Sequence, residues 1–126
     1  TGKQRRLMLD SWPGPVTWLI PDSANQVPAW IKGIHTTVAV RVTAHPVASA
    51  LCSHWGGPLV STSANLSGQE PAVTELQLRR RAKSMPSHLK GLGYIIPGRV
   101  GGLAKPTEIR DLESGKIFRS RSFFGF

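Results

Sequence analysis

The stretch Ser61-Thr62-Ser63-Ala64-Asn65-Leu66-Ser67-Gly68 packs four hydroxyls and one carboxamide into eight residues. Short hydroxyl side chains donate to phosphate oxygens at little steric cost, and an open turn can aim backbone N–H groups at an anion. A competing reading is a loop whose Ser and Asn satisfy their own backbone, and composition alone favours it. The stretch carries neither the Gly-Lys-Ser/Thr of a Walker loop nor a Rossmann fingerprint. Arg41 is the second candidate. It shares a predicted strand face only with Thr37 and Ala39, which leaves room beside a guanidinium suited to bidentate binding of a carboxylate or phosphate. The alternative is a solvated Arg on an exposed strand face. Thr107 and Arg119 are weaker candidates beside a predicted terminal hairpin. Cys52 falls inside a predicted helix next to Leu51 and reads as a small core residue. His35, His45, His54 and His88 lack metal-ligand spacing. A catalyst built from these groups works by positioning and charge stabilisation, as nucleotidyl and phosphoryl transfer do.

The elements that must position these groups are legible in outline. Residues 3–11 read as the end of a helix stopped by Pro13. Trp12-Pro13-Gly14-Pro15 is a rigid turn. Residues 16–20 read as a buried strand ended by Pro21, and residues 22–33 as a loop anchored by Trp30. Residues 37–42 alternate: Val38, Val40 and Val42 share one face, and Thr37, Ala39 and Arg41 the other. Pro46 opens a helix running to about Trp55, with Val47, Leu51 and Trp55 on one face. Residues 59–61 and 93–96 read as short strands. Thr74 with Gln77 forms a capping box for a basic helix. Residues 98–106 are glycine-rich. Residues 108–112 and 116–119, joined by Ser114-Gly115, read as a hairpin. Strands dominate over two or three helices, which predicts a mixed α/β or α+β domain. The apolar tail Phe123-Phe124-Gly125-Phe126 fits none of these elements.

Composition narrows the field. A length of 126 residues encloses a single core. Gly and Pro together make 23 residues, which argues against a helical bundle. One cysteine excludes a disulfide framework or a multi-cysteine zinc site, and seven carboxylates leave few candidates for a carboxylate-pair hydrolase. No apolar run approaches the ~18 residues of a membrane span, and the first ten residues lack the apolar centre of a signal peptide. The net charge is +9, and residues 79–121 alone carry +8. Such a surface attracts phosphates of nucleic acid or nucleotide. The Arg79-to-Lys83 run reads equally as a solvated face. Without interleaved aromatics it is no stacking platform.

Several motifs recur together in one known family. Trp12-Pro13-Gly14-Pro15-Val16-Thr17, Val38-Ala39-Val40-Arg41-Val42 followed by His45-Pro46, the Gly57-to-Gly68 stretch, and Pro106-Thr107-Glu108-Ile109-Arg110-Asp111 strongly resemble the YrdC/TsaC family. Order and spacing match from about Leu7 to Arg119, and the ending is most similar to the short bacterial TsaC type. The resemblance implies a twisted mixed α/β sheet with flanking helices around a basic concave cavity. It also implies threonylcarbamoyl-AMP synthesis: L-threonine, bicarbonate and ATP, with Mg²⁺, give L-threonylcarbamoyladenylate and pyrophosphate. A partner transferase then modifies adenosine 37 of tRNA. By motif, Thr37, Ser63, Asn65 and Arg119 match nucleotide-contacting positions, with a small gap leaving Arg121 as the alternative to Arg119. Arg41 matches the position that binds the threonine carboxylate, and Ser61 and Thr107 match threonine-side positions. The cysteine count, with no apolar run of membrane-spanning length and no signal-peptide centre, predicts a soluble, cytoplasmic domain.

The family's front part, with its Pro-Thr-Glu-Thr segment and the Lys-x-Arg half of its signature, has no counterpart here. The expectation is a single, N-terminally incomplete YrdC-like domain that is inactive by itself and exposes sheet edges. The alternative function is a basic RNA-binding module without catalysis. A YrdC-like domain of a hydrogenase-maturation carbamoyltransferase would bring zinc-finger and acylphosphatase parts, and the sequence shows neither.

Overall fold

The computed structural model describes residues 1–63, 65, 68–84, 93–101 and 107–119. The chain divides into two compact units, Thr1–Val60 with Leu103–Phe126, and Ser61–Gly102.

The first unit holds a four-stranded mixed sheet. Its strands are β1 (Val16–Pro21), β2 (Thr37–Val40), β3 (Glu108–Asp111) and β4 (Ile117–Arg119), in the order β2-β1-β3-β4. β1 runs antiparallel to β2 and parallel to β3, and β3 and β4 form the terminal hairpin with a bulge at Ile109/Arg110. β2 and β4 are therefore the edges. Gly115 takes a φ of 70° at the hairpin turn, a left-handed conformation that glycine adopts without a Cβ penalty. Asp111 holds that turn by accepting the Ser114 N–H at 2.8 Å.

Helix α1 (Gly2–Ser11) leads into β1. Thr1 Oγ1 accepts the Gln4 N–H and begins it. The indole of Trp18 joins it to the sheet: Nε1 donates to Ser11 Oγ at 2.9 Å, and that hydroxyl donates to the Met8 carbonyl at 2.8 Å. Trp18 is 3% exposed and Leu112 8%; they are the buried large apolar side chains among the described residues. The turn before β1 is tight. Trp12–Pro13 is cis, Trp12 Nε1 donates to the Val16 carbonyl at 2.9 Å, and Gly14 N–H donates to the Val42 carbonyl at 2.9 Å. A Cβ on Gly14 would meet the Ser11 carbonyl oxygen at 2.7 Å, so only glycine fits there.

Between β1 and β2, the short helix α2 (Ala29–Lys32) replaces the expected plain loop. Asp22 organises this segment by accepting from Gln26 N (2.9 Å), Val27 N (3.0 Å) and Lys32 Nζ. Those bonds, the Lys32 ammonium's foremost, hold the Asp22 carboxyl below its ordinary pKa. Trp30 does not anchor the segment as expected: it is 79% exposed, because the Asp22–Lys32 pair fixes the loop instead. Helix α3 (Pro46–Trp55) matches its predicted bounds, with Pro46 in its first turn and Gly56 capping at φ 81°. Its Val47, Leu51 and Trp55 face is exposed, and Cys52 is half-buried rather than in the core.

The second unit contains α4 (Glu75–Ser84). Its predicted capping box forms in a shifted version. Thr74 Oγ1 accepts the Gln77 N–H at 3.2 Å, but Gln77 Oε1 reaches back to Val73 N rather than to Thr74 N. An ion pair between Arg79 and Glu75 at 2.7 Å spans one turn.

Three strand expectations fail. Residues 59–61 and 93–96 adopt no strand. Val60 and Tyr94 are exposed, and no neighbouring backbone among the described residues supplies a ladder. β2 ends at Val40, two residues early. Helical residues outnumber strand residues among the described residues, the reverse of the expectation. The mixed α+β class itself holds. The apolar tail and residues 102–106 lie outside the described residues.

Candidate functional site

Strand register sorts the side chains of the sheet into two faces. Trp18 stands opposite Val40 on one side and Arg110 on the other, and Ile20 stands opposite Val38. Residues directly opposite share a face, so Trp18, Ile20, Val38, Val40 and Arg110 belong together. The Arg110 guanidinium sits 5.8 Å from the Trp18 ring centroid and pairs with the Glu108 carboxylate. This face holds its cation by ring and carboxylate and is structural.

The other face carries the candidates. Leu19 stands opposite Ala39, Pro21 opposite Thr37, and Thr17 opposite Ile109. Thr37 is half-buried at the start of β2. Arg41 follows one residue after β2, at the next position of the Thr37, Ala39 alternation, and is exposed. The Gly14–Val42 bond keeps the backbone beside the start of β1 at this point. Thr107 immediately precedes β3, is half-buried, and places its Oγ1 3.3 Å from Thr17 Oγ1. The C-terminal end of β2 and the N-terminal ends of β1 and β3 thus assemble a hydroxyl pair, with Arg41 at the same end of the sheet. A cation with hydroxyls is a receptor for a carboxylate or another small oxyanion.

Arg119 closes β4 opposite Ile109. Arg121 lies outside the described residues. In the second unit, Ser61 and Ser63 are exposed in irregular backbone. Asn65 is half-buried, and its Nδ2 donates to the Gln69 carbonyl at 2.8 Å. Gly68 takes a φ of 79°. This bond is the self-satisfying loop geometry weighed against phosphate binding, so Asn65 serves at least partly to shape the loop. Thr37, Arg41 and Thr107 therefore belong to the first unit, and Ser61, Ser63 and Asn65 to the second.

Thr17 is the candidate-site residue that sequence reasoning missed. Its signal was available: a polar residue in a strand between Val16 and the core Trp18 must face away from that core.

Comparison with known proteins gives the family. The chain is 50% identical over 116 residues to the threonylcarbamoyl-AMP synthase of Xanthomonas oryzae pv. oryzae, covering 92% of this chain and 58% of that protein. It is 50% identical over 117 residues to the synthase of Xanthomonas campestris pv. campestris, covering 93% and 59%. The chain thus spans a little over half the length of these curated relatives. Among solved structures, P. abyssi Sua5 complexed with L-threonine is similar with a TM-score of 0.72 and 28% identity, over 88% of this chain and 31% of that one. A variant of P. abyssi Sua5 gives a TM-score of 0.75 at 29% identity, over 89% and 32%. Residues 1–120 match the model of the Sua5/YciO/YrdC family, described as telomere recombination. The chain belongs to the Sua5/YciO/YrdC family.

Proposed function

We propose that this chain supplies the threonine-binding sheet face and the nucleotide-binding loop of a threonylcarbamoyl-AMP synthase. The observation that carries the reading is the Thr17–Thr107 hydroxyl pair at 3.3 Å at the sheet end where exposed Arg41 leaves β2. The names of the curated relatives and the threonine complex of P. abyssi Sua5 support it.

In this reading Arg41 binds the threonine carboxylate, with Thr107 and Ser61 on the threonine side. Thr37, Ser63, Asn65 and Arg119 contact ATP. The amine of L-threonine takes up CO₂ from bicarbonate as a carbamate. A carbamate oxygen attacks the α-phosphorus of ATP, the bond to the β-phosphate oxygen breaks, and pyrophosphate leaves with its electron pair. The protein's task is to orient the two substrates and offset the growing negative charge. Among the described residues no group of three or more His, Cys, Asp or Glu could hold a metal ion. In this reading Mg²⁺ accompanies ATP and shields its phosphates. The product passes to a tRNA-modifying transferase, in the cytoplasm. No described helix is long and apolar enough to cross a membrane.

The test is L-threonine titrated onto the chain and followed by backbone NMR. Shifts centred on Arg41 and Thr107 that vanish with Arg41→Ala support the reading. Salt-sensitive RNA binding without threonine or ATP affinity supports instead a basic RNA-binding module, for which the exposed Arg80 and Lys83 of α4 are the specific observation. Catalysis is read as threonine-dependent pyrophosphate release by this chain joined to the segment of the X. oryzae synthase outside the aligned stretch.

A further inference from the structure

We infer that Thr17 is a positioning residue of the threonine site, its hydroxyl fixing the orientation of Thr107 Oγ1. The inference rests on the proposed reading of this sheet face and adds to it a residue that touches no substrate.

Thr107 lies outside the ladder, one residue before β3. Next to it, Glu108 N–H donates to the Pro15 carbonyl at 3.1 Å and ties the start of β3 to the residue before β1. A hydroxyl hydrogen rotates to suit its surroundings, so the geometry of Thr107 depends on what its oxygen meets. Thr17 sits within β1, the strand flanked by both β2 and β3. As a β-branched residue in a paired strand it has a restricted χ1. Thr17 is thus the rigid member of the pair. Its register neighbour on this face is apolar Ile109, so a valine would pack there as well as threonine does. The hydroxyl is therefore surplus to packing.

One hydroxyl of the pair donates to the other. An anionic ligand beside Arg41 selects the order in which Thr17 donates to Thr107 and Thr107 donates onward. Hydrogen bonds aligned head to tail in this way polarise one another. The ligand chemistry is that of an α-amino acid bearing a carboxylate and a small polar side chain.

The experiment is an NMR titration of the chain with L-threonine, run on the unsubstituted chain, Thr17→Val, Thr17→Ser, Thr107→Val and the Thr17→Val/Thr107→Val double variant, each with a melting curve. Thr17→Val is expected to weaken binding about fivefold, the scale of one hydrogen bond. Thr17→Ser restores binding to within about twofold. In the Thr107→Val background Thr17→Val adds nothing, because its effect runs through Thr107. Unchanged affinity in Thr17→Val, or losses that multiply in the double variant, overturns the inference while leaving the threonine site standing. No binding by the unsubstituted chain overturns the site itself, and the inference with it. Should Thr17→Val fail to fold, Thr17→Ala completes the same cycle.

Discussion

The two faces of the sheet in the first unit are built from the same strands to opposite ends. On one, Trp18 is sunk against α1 through Ser11 and covered by Arg110, which is itself paired with Glu108. Every polar group named there has a protein partner. On the other, side by side with it along the same backbone, stand Thr17, Thr37, Ala39 and Thr107, with Arg41 next in line. These groups are small, half-buried or exposed. One arginine is consumed by the fold and the other is left to the solvent. A period of two in the chain is enough to separate the residues that hold the domain from those proposed to meet a ligand.

That separation breaks most visibly at Trp18. Replacing a buried Trp by Ala costs about 3–5 kcal/mol, a large share of the stability of a domain this size. Trp18→Ala is expected to unfold the first unit, read as lost near-ultraviolet dichroism. A cooperative melt near that of the unsubstituted chain would show that the core lies elsewhere. Arg41→Ala is the mirror experiment. The residue is exposed, so stability should stay within about 0.5 kcal/mol. Threonine affinity should fall about 10- to 100-fold, the worth of a charge-assisted hydrogen bond of about 1.5–3 kcal/mol. If instead Arg41→Ala lowers the melting temperature and spares threonine, the two faces carry the reverse of the assigned roles.

Gly14 belongs to neither face and fixes both. Its Cβ would collide with the Ser11 carbonyl at the end of α1, and backbone cannot yield as a flexible side chain can. Gly14→Ala is expected to cost about 1–3 kcal/mol, as other overpacking does. The loss should show as a lower denaturant midpoint with an unchanged slope. An unshifted midpoint would mean that α1 moves freely relative to β1.

The parts of this arrangement that were legible in the sequence are those with local causes. Pro46 and Gly56 bound α3, Thr74 and Gln77 start α4, and Ser114-Gly115 closes the hairpin, each by chemistry contained within a few residues. The misread parts depend on distant partners. Leu59-Val60-Ser61 and Gly93-Tyr94-Ile95-Ile96 have strand-like composition, but a strand exists only against a neighbour. Trp30 reads as an anchor until Asp22 and Lys32 are seen to hold its loop without it. The candidate residues were legible only as types: Arg41 at the next alternate position after Thr37 and Ala39 in the first unit, and a hydroxyl-rich loop in the second. The pairing of Thr17 with Thr107 joins residues 90 positions apart, and nothing local announces it.

The smallest effect separates the stabilising carboxylates from the ligand face by pH. Asp22 is held below its ordinary pKa by Lys32 and the Val27 and Gln26 N–H groups, and Asp111 by the hydroxyl and N–H of Ser114. A carboxyl whose pKa is lower in the folded than in the unfolded chain stabilises the fold at every pH above the unfolded value, about 3.9. That contribution fades as pH falls through the lower, folded value, because the native state must then give up the bonds its ionised form accepts. The melting temperature is therefore expected to decline below about pH 5. The Asp22→Asn variant should melt lower than the unsubstituted chain at pH 7 and approach it as pH falls toward the folded pKa. A gap between the two that stays constant with pH would mean that Asp22 acts by shape rather than charge. Asp22 follows β1 at the end remote from Thr17. At pH 7, where the domain stays folded, Asp22→Asn should therefore leave threonine affinity unchanged, the opposite pattern to Arg41→Ala.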